Sequence, residues 1–177
     1  MPVAQSRYGA TAKMFHWTVV ALLAIQLPLG WLMRGLRRSL PPDTPLVAHV
    51  TIGLLILALI AARLVWRVAH PVAPETGLPA WQRFASWLVH WLLYVAVLAT
   101  ALTGWLLDSA RGTDAALVGG VPLPRLVPQG SAWGAAIGNL HATMAWVLVV
   151  LVGVHVMAAF AHLFVYKDRV MHRMLTD

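Results

Sequence analysis

Four runs of this chain, residues 15–33, 47–66, 85–107 and 140–166, are each long and apolar enough to cross a bilayer as a helix, which takes about 20 residues. A soluble helix bundle would need polar faces recurring at helical spacing, and these runs have almost none. Composition agrees: 60% of the 177 residues are hydrophobic and only 11% are charged. Soluble domains carry roughly a quarter charged residues. That much apolar surface cannot be hidden in one small core, so lipid must solvate most of it. The expected fold is all-α, an integral membrane four-helix bundle formed by residues 1–177 as one domain.

The first run does not read as a cleavable signal peptide. Its apolar part is too long, and it ends in Arg34, Arg37 and Arg38 rather than in small residues. Proline and glycine punctuate the connectors: Pro41, Pro42 and Pro45, then Pro71, Pro74 and Pro79, then Gly119, Gly120, Pro122, Pro124 and Pro128. The third connector, residues 108–138, is the largest polar segment.

Cysteine is absent, which removes disulfides, iron–sulfur clusters and covalent haem attachment from consideration. The net charge of +7 suggests nucleic acid at first sight, but its distribution does not. With four spans, both termini and the second loop share one side. That side carries Arg7, Lys13, Arg63, Arg67, Arg83, Lys167, Arg169 and Arg173, against Arg34, Arg37, Arg38, Arg111 and Arg125 on the other. Eight against five places both termini in the cytoplasm by the positive-inside rule. The basic excess then faces anionic lipid headgroups, with no nucleic-acid partner.

Eight histidines in so apolar a chain demand a use, because ionisable groups in a membrane are costly and usually functional. His70 and His172 fall in a loop and the tail. His16, His49, His90, His141, His155 and His162 fall within or at the ends of spans. His141 and His155 are 14 residues apart, which places them on nearly one helix face, about 21 Å apart along the axis. That suits two haems, one near each bilayer surface. Each haem needs a second ligand at matching depth, and the depths pair His16 with His155 and His49 with His141. Paired imidazoles leave iron with no open position, so the chemistry is one-electron transfer rather than oxygen binding. Without cysteine both groups are b-type.

Gly53 and Gly153 lie near His49 and His155, where a small residue gives a haem room or lets helices approach. His162 and His90 are candidates for a haem propionate or a quinone pocket, which needs a proton donor near its carbonyls, or else for the headgroup zone. Arg63, Arg67 and Lys167 are candidate propionate or headgroup partners at the same surface. Tryptophans near span ends form an aromatic belt.

These residues resemble the prokaryotic cytochrome b561 family, four-helix di-haem cytochromes of the bacterial inner membrane. The resemblance is carried by His16-Trp17, by Pro45-Leu46 and His49 with Arg63-Leu64 and Arg67, by His90, Tyr94 and Gly104, and by His141, Gly153, His155, His162 and Lys167-Asp168. The same four-histidine order occurs in the generally longer cytochrome b subunits of hydrogenases and formate dehydrogenases. The resemblance implies the ligand pairs already deduced, two haem b groups, and, for some members, oxidation of periplasmic superoxide with ubiquinone as acceptor. A basic periplasmic stretch at Arg34, Arg37 and Arg38 would steer such an anion. Two function classes follow: a superoxide:quinone oxidoreductase acting alone, or an electron-carrier subunit serving a separate dehydrogenase or periplasmic redox partner. A transporter would need broken helices or a polar path, and neither is visible.

Overall fold

Each apolar run is helical, and the helices extend past the runs at every end but the C-terminal end of the fourth. In the computed structural model, which describes residues 8–36, 44–72, 77–112, 117 and 122–175, the order is α1 (Ala10–Leu36), α2 (Thr44–Ala69), α3 (Ala80–Arg111), α4 (Gly134–Phe160), a π-helical turn (Ala161–Tyr166) and a short α5 (His172–Leu175). Four of these, with the π turn extending α4, are long and apolar enough to cross a membrane. Hydropathy marks only the stretch that must meet hydrocarbon. The helix itself runs on into the headgroup layer until a stop signal arrives. At α3 those signals are explicit: Pro79 precedes its first turn, and Gly112 ends it at φ 60°, donating its N–H to the Asp108 and Ser109 carbonyls. Pro45 is buried in the first turn of α2, where its missing N–H costs nothing.

Neighbours in sequence are neighbours in space. α1 packs on α2, α2 on α3, and α3 most extensively on α4. α1 and α4 would close the ring, yet their backbones hardly approach each other. Val19, Ile56, Ile60, Ala96, Val97 and Leu148 form a small buried core, with Leu22, Ile52, Leu93 and Val152 among the residues packed around it. Leu148 lies midway between His141 and His155, so this apolar plug occupies the middle of the bundle. Around it the molecule is inside out. Val65, Val68, Trp81, Val95, Val150 and Met157 are at least 60% exposed, a surface that water would reject and acyl chains accept.

The two ends of the chain meet. Trp17, in the first half of α1, donates its indole N–H to the Met174 carbonyl of α5 at 3.1 Å. Arg67 at the end of α2 donates to the Tyr8 hydroxyl at 3.4 Å, and the Arg67 and Arg173 guanidinium groups lie 5.8 and 5.4 Å from the Tyr8 ring. The described N- and C-terminal residues thus share one end of the bundle with the end of α2, as four spans require. At the opposite end the third loop folds back on α3. Trp105 Nε1 donates to the Pro124 carbonyl, the Leu126 N–H to Ser109 Oγ, and the Gly130 N–H to the Ala110 carbonyl.

Candidate haem sites

α4 carries a histidine at each end of the core, and each meets a histidine from another helix. At the terminal end, His155 faces His16 of α1, with ring centroids 6.2 Å apart and planes at 77°. At the loop end, His141 faces His49 of α2, with centroids 6.3 Å apart and planes at 88°. A metal bonded to one nitrogen of each ring at about 2 Å holds the centroids roughly 6 Å apart once the half-width of each ring is added. Both pairs have that spacing before any metal is considered. The residues present therefore fit two bis-imidazole haems, at the two depths read from the sequence.

The loop-end pair is built by its neighbours. His141 Nδ1 donates to the Thr100 carbonyl of α3 at 2.9 Å and lies 3.3 Å from the Thr103 hydroxyl. With Nδ1 engaged, Nε2 is left as the metal-binding nitrogen, the usual division of labour in a ligating histidine. Behind each ring lies a glycine. A Cβ at Gly104 would stand 3.0 Å from His141 Cε1, and one at Gly30 would stand 3.2 Å from His49 Cε1. Alanine at either place would push on the imidazole.

Gln26 of α1, a polar side chain in an apolar span, donates to the His49 carbonyl at 2.9 Å and approaches His49 Nε2 at 3.4 Å. Gly53 makes room for it: a Cβ there would stand 3.2 Å from Gln26 Nε2. The buried Nδ1 atoms of His49 and His16 have no hydrogen-bond partner among the described residues. That state is costly enough in an apolar interior to mark a site whose chemistry involves more than the chain itself.

At the terminal end a third histidine joins the pair. His90 of α3 lies 5.1 Å from the His155 ring, with its Nδ1 donating to the Ser86 carbonyl at 2.6 Å. That spacing is too short to share an iron with His155, so geometry separates His90 from His16. Arg63 reaches this end from α2 with its guanidinium 5.7 Å from the Tyr94 ring centroid. Beyond it, His162 Nδ1 pairs with the Asp168 carboxylate at 2.6 Å. Lys167, between them in sequence, is exposed and adopts a left-handed conformation at φ 53°.

The two glycines expected to give a haem room or to let helices approach do not face the ligand rings. Gly53 faces Gln26 rather than a histidine ring, and Gly153 faces open space, with no described atom within 4 Å of where an added methyl would stand. The glycines that touch imidazole are Gly30 and Gly104, which sequence reading puts only near helix ends, because depth along a helix does not say which way a residue turns. Gln26, Thr100 and Thr103 are further site residues that the sequence reading misses. A glutamine in a 24-residue apolar span is a visible signal; two threonines one turn apart are not. His70 stacks on Trp66 at 3.9 Å, and His172 is exposed in α5, so neither enters the sites. Arg37 and Arg38 lie outside the described residues, and of Arg34 only the backbone in the last turn of α1 is described.

A family model described as prokaryotic cytochrome b561 matches residues 7–177. Cytochrome b561 homolog 2 of Escherichia coli (strain K12) is 30% identical over 178 residues, covering 96% of this chain and 91% of that protein. Cytochrome b561 homolog 1 of the same organism is 29% identical, covering 96% and 97%. A protein named probable superoxide oxidase CybB of Yersinia pestis is 24% identical over 174 residues, covering 96% of each chain. Four apolar helices, paired histidines at two depths and a match along nearly the whole length lead to one conclusion: this chain belongs to the prokaryotic cytochrome b561 family of membrane cytochromes, whose members carry haem b.

Proposed function

We propose that this protein is a superoxide:quinone oxidoreductase of the bacterial inner membrane, with both termini cytoplasmic, which takes single electrons from periplasmic superoxide and delivers them to ubiquinone. The observation that carries the reading is the pair of facing histidines at each of two depths, 6.2 and 6.3 Å between rings. His16 and His155 would hold one haem b, and His49 and His141 the other. Haem bound there would supply a one-electron couple.

The chain's own residues do the rest. The Thr100 carbonyl orients His141. Gln26 ties His49 to α1, and Gly30 and Gly104 let the two rings lie close to the helices behind them. Arg63 would meet a propionate at the terminal end, and the open space at Gly153 would give a haem edge room. Val19, Ile56, Ala96 and Leu148 keep water out of the middle of the bundle, so electrons cross where protons do not. His162 and His90 are the quinone-side candidates, with Lys167 at the headgroup level. In the balanced reaction, two superoxide ions and one quinone with two protons become two dioxygen molecules and one quinol.

The name of the Yersinia pestis relative favours superoxide as donor. The rival reading, an electron-carrier subunit for a separate dehydrogenase, has the same haem chemistry with a protein donor. Stopped-flow mixing of the oxidised, purified protein with superoxide separates them. Reduction of the haem absorption bands within the mixing series, followed by reoxidation on adding a short-chain ubiquinone, is expected. Absence of any reduction by superoxide would remove the enzyme reading and leave the carrier.

A further inference from the structure

The contact between His162 and Asp168 should not exist in a regular helix. Six residues at about 100° each leave two side chains about 120° apart. Here the chain leaves α-helical geometry at Ala161, runs through one π-helical turn to Tyr166, and reverses at Lys167 in the left-handed region, φ 53°. The result brings Asp168 back beneath His162. Its Oδ2 meets His162 Nδ1 at 2.6 Å, its backbone N–H reaches the His162 carbonyl at 3.2 Å, and its Oδ1 accepts the Val170 N–H at 3.0 Å. Both carboxylate oxygens are therefore held, and the orientation is fixed from two sides. The side chains are 15% and 24% exposed, so water screens the pair only in part. π turns cost hydrogen-bond quality and are found disproportionately where a side chain must be aimed.

We propose that His162 and Asp168 form a proton-delivery pair at the terminal-end mouth of the bundle, in which the Asp168 carboxylate holds Nδ1–H and presents Nε2–H of His162 to a quinone carbonyl oxygen. This rests on the reading of quinone as the electron acceptor at that end. Nε2 makes no hydrogen bond among the described residues, whereas Nδ1 is committed. The ring of Tyr166, 5.4 Å away, flanks the imidazole, and Lys167 lies next along the chain. The proton balance is simple. A quinone gains two electrons and two protons to become the quinol. For each proton, the Nε2–H bond of the imidazolium breaks as the quinol O–H forms, leaving neutral imidazole with Nδ1–H still held by Asp168, and a proton taken up from the aqueous phase restores the imidazolium. Asp168 takes no part in the transfer; through Nδ1 it fixes the tautomer and the orientation of the ring. Asp168 is thus a positioning residue, and His162 is the group that touches substrate.

The test uses the purified holoprotein, superoxide as donor and a short-chain ubiquinone as acceptor. Asp168→Asn keeps an oxygen for the Val170 N–H and so preserves the turn while removing the charge. It should lower kcat for quinone reduction by at least about tenfold, with KM within about twofold and a larger solvent deuterium effect. Haem spectra and haem reduction by superoxide should be unchanged, and Asp168→Glu should restore part of the rate. His162→Ala should lose about 100-fold, and the double variant His162→Ala/Asp168→Asn should be no slower than His162→Ala alone. If His162→Ala leaves quinone reduction intact, the quinone lies elsewhere, and the site and the pair fall together. If His162→Ala is slow but Asp168→Asn matches wild type, or the two losses add, quinone binding at His162 stands and the pairing is overturned.

Discussion

The rings of His49 and His141 stand 6.3 Å apart with their planes at 88°, and those of His16 and His155 repeat the relationship at 6.2 Å and 77°. Crossed imidazole planes make the two iron d orbitals that interact with them nearly equal in energy. Both ferric sites should therefore give low-spin spectra of the strongly anisotropic kind, with one widely shifted g component, rather than the rhombic signal of parallel rings. Low-temperature EPR of the oxidised protein checks this. A rhombic signal at either site would mean that its rings rotate when iron binds.

Loss of ligands should be selective by depth. Since His155 serves one pair and His141 the other, His155→Ala should remove the terminal-end haem and His141→Ala the loop-end haem. Each should leave about one haem per chain by pyridine haemochrome, where the wild type gives about two, all extractable by acid-acetone because no cysteine tethers it. His90→Ala should keep both, because its 5.1 Å spacing from His155 does not accommodate an iron. A one-haem spectrum for His90→Ala would show that the ligands had been paired wrongly.

The glycines separate packing against protein from packing against cofactor. Gly104→Ala places a methyl 3.0 Å from His141 Cε1, so the ring or the helix must shift, and overpacking of this kind costs about 1–3 kcal/mol. Loop-end haem retention should fall, and Gly30→Ala should do the same through His49. At Gly153 an added methyl meets no described protein atom within 4 Å. If Gly153→Ala nevertheless lowers terminal-end haem content, the methyl is meeting the haem itself. Unchanged content would place Gly153 against lipid. Absorption titration of each apoprotein with hemin reads all three variants.

What is legible in the sequence, and what is not, follows from which quantities sequence carries. Depth in a bilayer is nearly one-dimensional, and a helix converts residue number into depth at a constant rise. His16 meeting His155 and His49 meeting His141 follow from that alone. Rotation about the axis is harder, because it depends on how neighbouring helices settle. For that reason the contact of Gly30 and Gly104 with imidazole is not legible in the sequence. The contact of His162 with Asp168 is further out of reach. It needs a π turn and a left-handed lysine, and assuming α-helix through to residue 166 places the two on different faces. Helix ends are under-read for a plainer reason. α3 continues to Arg111 and α4 begins at Gly134, because polar residues end the apolar window well before anything ends the helix.

In sequence Arg34 falls in the last turn of α1, and Arg37 and Arg38 come directly after it; α1 ends at the same end of the bundle as the His49–His141 pair, the side we propose to be periplasmic. An array of exposed positive charge raises the local concentration of an anion and its encounter rate without touching the chemistry that follows. Replacing all three by glutamine should therefore slow haem reduction by superoxide while leaving haem content, spectra and quinone reduction by a chemical donor unchanged. The effect must shrink with salt, since exposed charges are screened over about 10 Å at 0.1 M ionic strength. Wild-type and triple-variant rates measured from low to high ionic strength should start roughly tenfold apart and converge. The sign of the wild-type slope is itself informative: attraction between a cationic surface and an anionic donor gives a rate that falls as salt rises. A rate indifferent to salt, or a variant as fast as wild type at the lowest ionic strength, would assign these arginines to headgroup anchoring and leave superoxide to approach by diffusion alone.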